Sequence, residues 1–167
     1  MSQENASLGR PFPFTFEGQS LPIGVCTGDV ELHFTSWLEL HARDKLARRK
    51  EELRDEYAWY VNLWLQKVET EEYEWTGYIS TRIRKTEAGK KALLLLMMQS
   101  AGALVSAELI DRIFQCPEKV DELFNDDVVL DENKQPLPAA GLYWKSIAQG
   151  RPTVPVPNKA EPAATSK

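Results

Sequence analysis

The strongest constraint on this chain is an apolar run at 92–105, Ala-Leu-Leu-Leu-Leu-Met-Met-Gln-Ser-Ala-Gly-Ala-Leu-Val, set in an otherwise polar and acidic sequence. Leaving apolar surface in water costs about 25 cal/mol per Å², so a run of this kind demands a cover. Hydrocarbon is not that cover. A membrane-crossing helix needs about 20 apolar residues, and Gln99, Ser100 and Gly102 interrupt a shorter stretch here. Leucines at 93 to 96 fall on every side of a helix, which is the pattern of a helix at the centre of a bundle. Thr86 can cap its start and Gly102 ends it.

The elements that would pack on it can be read in both directions. Upstream, Phe12, Phe14 and Phe16 alternate with Pro13 and Thr15, and Gly18 marks a turn before Leu21-Pro22-Ile23. This alternation predicts a small β-hairpin whose prolines keep its strands at an edge and whose aromatic face needs a helix over it. From Asp29 to Thr76 the chain has neither glycine nor proline. Val30, Phe34, Trp37, Leu38, Ala42 and Leu46 recur at helical spacing, as do Tyr57, Tyr60, Val61, Trp64, Leu65 and Val68. One unbroken helix over 29–69 would run about 60 Å at 1.5 Å per residue, too long for a domain of this size, so a break near Asp55 is expected. Trp59 lies off the second stripe and marks either a second buried face or an interface.

Downstream, Ser106 can cap a helix over 107–115, and Pro117 fits a first helical position, where no amide donor is needed. Leu109, Ile110, Ile113, Phe114, Val120, Leu123 and Phe124 add core. Prolines at 136, 138, 152, 155, 157 and 162 then change the character of the sequence. The resulting division is a flexible start at 1–11, a helical domain with an N-terminal hairpin at 12–130, and a Pro- and Ala-rich flexible, disordered tail at 131–167. Within that tail 140–148 carries Leu142, Tyr143, Trp144 and Ile147, which make one apolar helical face. Such a face either docks on a partner or packs back on its own domain. The fold class expected is mainly α, a small helical bundle with a short hairpin.

Chemistry-bearing patterns are sparse. His33 and His41 could share a helix face with Trp37, and Asp29 or Asp44 could join them. Metal sites draw ligands from one turn apart or from converging elements, so solvated or half-buried histidines are the expectation. Glu71-Glu72 and Asp126-Asp127 are adjacent acids that diverge by about 100° on a helix and cannot share a proton. No nucleophile elbow, phosphate-cradling glycine loop or zinc-protease motif occurs. The reading is therefore no enzyme, no metal and no cofactor. Cys26 and Cys116 are far apart and stand outside any C-x-x-C pair, which predicts reduced thiols. The first residues have no basic start or apolar core of a targeting segment, which predicts a cytoplasmic location. A formal charge of −5 opposes bulk attraction to nucleic acid or anionic lipid. Local basic clusters do occur at 43–50 and 82–91, but acids at 51, 52, 55 and 56 follow the first directly.

The layout as a whole resembles a known family. Phe14-Thr15-Phe16-Glu17-Gly18 leads through Leu21-Pro22-Ile23-Gly24 into a helical middle. There Thr86-Glu87-Ala88-Gly89 precedes a leucine-rich helix, and Cys116-Pro117-Glu118 precedes the next before a low-complexity tail. This is similar to the tail assembly chaperones of long-tailed bacteriophages, with the resemblance spanning 12–130. It implies a non-enzymatic role in coating a tape measure protein and recruiting tail-tube subunits, in the cytoplasm of an infected cell. Candidate contact residues are then Trp59, Leu63, Met97, Met98, Leu142, Tyr143, Trp144 and Ile147, with Met97 and Met98 able to repack against varied partner helices. A second copy of the chain is a further candidate partner. The alternatives are another small phage structural or head-tail protein, and a nucleic-acid-associated regulator using clusters 43–50 and 82–91.

Overall fold

A computed structural model of the chain describes residues 9–126, 132–135 and 141–150. The architecture is mainly α with one small β-hairpin. Strands β1 (Thr15–Phe16) and β2 (Gln19–Ser20) pair antiparallel with Thr15 opposite Ser20. Glu17 and Gly18 both adopt positive φ, the two-residue turn whose twist matches the strands it joins. Reciprocal amide–carbonyl bonds of 2.9 Å between Phe12 and Ile23 extend the ladder. Phe14, Phe16, Leu21 and Ile23 are all buried, so the period-2 pattern puts one aromatic and aliphatic face on the core.

Helix α1 (Gly28–Arg48) follows, and then a short helix α2 (Lys50–Leu53), a 3-10 turn at Arg54–Glu56 and helix α3 (Tyr57–Glu69). The expected break near Asp55 is thus present. Arg54 takes positive φ there, and α3 folds back along α1. Short helix α4 (Tyr78–Ile83) leads to α5 (Glu87–Ser100), α6 (Ala107–Phe114), α7 (Pro117–Phe124) and α8 (Leu142–Gly150). The capping residues read from the sequence act as such. Thr86 Oγ1 accepts from the Gly89 amide and Ser106 Oγ from the Leu109 amide, both at 3.2 Å. Thr27 is the N-cap of α1, although its side chain makes no capping bond.

Helix α5 is the centre of the body, packed by α1, α4 and α6. Leu93, Leu94, Met97 and Met98 form its buried stripe, at one-turn spacing. The helix ends in a left-handed Gly102, with the Ala103 amide reaching back to the Met98 carbonyl at 3.1 Å and the Gly102 amide to Gln99 at 3.0 Å. That is a Schellman closure, and it divides the apolar run: 92–100 is helical, whereas Leu104 beyond the glycine is 87% exposed.

The domain does not stop at 130 as the proline content suggests. Helix α8 packs on α7 and sends Tyr143 into the core. The Gly141 amide donates to the Asn125 carbonyl at 2.9 Å, and the Cys26 amide donates to the Ser146 carbonyl at 3.1 Å. Backbone contact is close enough that a Cβ on Gly150 would overlap the Cys26 carbonyl. One apolar face, too short to stand alone, is stable here because the body supplies its cover. Of the segments expected to be flexible, 1–11 and 131–167, residues 1–8, 131, 136–140 and 151–167 lie outside those described. No helix among the described residues is long and apolar enough to cross a membrane.

Candidate protein-binding surfaces

Between Leu38 and Tyr73 no residue is fully buried. This stretch comprises the second half of α1, the α2 turn and all of α3, and it forms an arm of two antiparallel helices. Its inner seam is aromatic. The Trp64 Nε1 donates to the Glu39 carbonyl at 3.2 Å, and the Arg43 guanidinium lies 5.8 Å from the Trp64 ring. Nearer the body Trp37 stacks on Phe34 at 5.4 Å and on His41 at 4.7 Å. At the tip Lys50 sits over Tyr57, and Arg49 pairs with Glu52 at 3.1 Å.

The outer side of α3 carries Trp59, 61% exposed, and Leu65, 44% exposed. Trp59 touches Tyr60 edge to face at 4.9 Å but is otherwise turned to water. Leu63 is half-buried on the same helix. Trp59 is thus a large apolar side chain held in solvent, on a helix that contributes no fully buried residue to the core.

The other sequence candidates fare differently. Met97 and Met98 are fully buried, held between the hairpin and the packed helices, and the Met97 carbonyl accepts from the Gly24 amide at 2.9 Å. Neither offers surface to a partner in this fold, so their expected role as adaptable contact residues is corrected to core. Tyr143 is corrected in the same way. It has no exposed surface, and its hydroxyl donates to the Arg84 carbonyl at 2.9 Å. Burial pushes the Tyr143 phenol far above its usual range, so it remains a donor. Leu142, Trp144 and Ile147 are half-buried, each packed on the core by one side. Along the central helix lies a groove of about 230 Å³ where Ala92 and Leu95 face Trp37 and Ile110. Lys91 stands at that groove and pairs with both Glu87 at 2.7 Å and Asp111 at 3.0 Å.

A second surface joins two features that look unrelated in sequence. Thr81, Arg84 and Lys85 from the 82–91 region and its flank face Trp144, Ile147 and Ala148 of α8 across a cavity of about 680 Å³, with Thr76 alongside. Arg84 is only 8% exposed. It stacks 3.7 Å from the centroid of Trp75 and donates to the Trp75 carbonyl at 2.8 Å and to Thr81 Oγ1 at 3.2 Å. Such a cation is held by a ring face and carbonyl dipoles, and it fixes the 70–77 loop to α4.

The basic clusters do not assemble into one phosphate-binding face. Within 82–91, Arg84 turns inward, Lys91 is paired with two carboxylates and Lys90 lies 5.1 Å from the Phe124 ring. Within 43–50, Arg43 and Lys50 cover aromatic rings and Arg49 is ion-paired. His33 is exposed, with Nδ1 2.7 Å from the Asp29 carbonyl, while His41 is half-buried against Trp37. Partial burial, with Lys45 and Arg48 nearby, holds the His41 imidazole below its usual range. Among the described residues no three metal-ligating side chains gather. Cys26 is buried and Cys116 is half-buried. No protein-family model, curated protein or solved structure matches the chain.

Proposed function

We propose that this protein is a non-enzymatic assembly factor that holds a partner polypeptide against the outer face of its helical arm. The specific instance we favour is a phage tail assembly chaperone, sheathing apolar segments of a tape measure protein and bringing tail-tube subunits to them in the host cytoplasm. The observation that carries this reading is the arm itself: a helix, α3, with no fully buried residue and with Trp59 set in solvent. Aromatic anchors of that kind dominate the energetics of protein interfaces. The hairpin–helix layout that resembles the chaperones supports the choice of partner. The same arm would serve another small phage structural or head-tail protein, which differs in the partner held rather than in the surface used.

Co-expression tests the reading. A long tape measure protein rich in coiled coil should be recovered soluble and in complex with this chain, and insoluble without it. Aggregation of the tape measure protein to the same extent in the presence of the folded chain would refute the chaperone role. A nucleic-acid regulator is disfavoured by the way the basic side chains are occupied. Such a regulator would bind duplex or single-stranded DNA at low salt and lose affinity steeply as salt rises.

A further inference from the structure

The cavity between α4 and α8 is independent of the arm and has a chemistry of its own. One wall is polar: Thr81, the exposed cation Lys85, and the largely buried Arg84, whose guanidinium is held by Trp75. The opposite wall is apolar: Trp144, Ile147 and Ala148. No carboxylate is among the described residues that line it, although the whole chain carries a formal charge of −5. Lys85 makes no ion pair among the described residues. The cleft has a volume of about 680 Å³, within the range of pockets that enclose a drug-sized group.

We propose that this cleft is a docking site for an acidic segment of a partner protein that carries an apolar side chain among its carboxylates. The apolar side chain would lie on Trp144 and Ile147, and a neighbouring carboxylate would meet Lys85, with the hydroxyl of Thr76 as a further donor. Charge complementarity selects this occupant. An exposed lysine with no ion pair among the described residues, beside an apolar wall and no lining carboxylate, attracts a carboxylate placed next to an apolar side chain, which favours correct docking over random contact. The rigid floor supports it, because Arg84 is locked on Trp75 and its carbonyl is tied to Tyr143 of α8, so both walls are held in register.

The test is selection of a displayed library of random dodecapeptides on the full chain, followed by fluorescence anisotropy of the most enriched peptide. The proposal expects Asp and Glu flanking an aliphatic or aromatic residue in the enriched set. It expects Lys85→Glu and Ala148→Asp each to weaken binding at least tenfold. Lys45→Glu, the same charge reversal on the arm, should leave binding within twofold. A twenty-residue oligothymidylate should fail to compete. The proposal is overturned by the absence of enrichment, by enrichment of neutral or basic peptides, by equal losses from Lys85→Glu and Lys45→Glu, or by competition from the oligonucleotide. Both substituted cleft positions are exposed, so unchanged melting of the variants separates lost contact from lost fold.

Discussion

Helix α1 belongs to two regions at once, and its halves obey different rules. Its first half sends Val30, Phe34 and Leu38 into the body beside α5, whereas beyond Leu38 it has no fully buried residue. The body and the arm use the same residue types. In the body Phe14, Phe34, Phe124 and Tyr143 are enclosed, and in the arm Tyr57, Trp59, Tyr60 and Trp64 pack by one side or not at all. Burial on all sides fixes a unique structure, while burial on one side leaves apolar area for something else. The arm is therefore where substitution should separate binding from stability, and the body is where it should not.

Tyr143→Ala should give the largest stability loss, about 3–5 kcal/mol, because it removes a fully enclosed ring from the core. Denaturant midpoints at constant slope would show it. If the loss were under about 1 kcal/mol, α8 would belong with the arm rather than the body. Met97→Ala should cost about 2–5 kcal/mol by the same cavity argument. Gly24→Ala should follow at about 1–3 kcal/mol, since its Cβ would stand 2.5 Å from Ser100 Oγ and 2.7 Å from the Met97 carbonyl. On the arm, Trp59→Ala should change stability by no more than about 0.5 kcal/mol, the range of surface substitutions. The smallest effect should come from His41. Its imidazole titrates lower in the folded chain than the ordinary value near ~6.5, so the unfolded chain binds more protons in the window just below that value. Stability should therefore rise slightly as pH increases through that window, and His41→Gln should flatten the rise in a melting series. A steeper rise in the variant would contradict the assignment.

Much of the fold could be read from residues whose role is local. Thr86, Ser106, Pro117 and Gly102 bound their helices through caps and a left-handed stop, interactions that need only a few neighbouring residues. The alternating phenylalanines and Gly18 specify the hairpin in the same way. The placement of 142–150 was not readable, because its face is compatible with a partner or with the body, and tertiary contacts with Asn125 and Cys26 decide between them. Met97 and Met98 show the same limit. Their chemistry suits an adaptable surface, but their spacing from Leu93 and Leu94 puts them on the buried stripe. The cleft was hidden for a third reason: Lys85 and Trp144 are distant in sequence, and only the packing of α4 near α8 brings them to one site. Trp59 was the one candidate that its position off the apolar stripe singled out and that the fold leaves open.

The most direct test of this division of labour pairs two readings on Trp59→Ala: thermal melting of the variant, and its capacity to keep a co-expressed tape measure protein soluble. The account predicts melting indistinguishable from the parent chain together with loss of most of the soluble partner. A variant that melts normally and still holds the partner as well as the parent would contradict it.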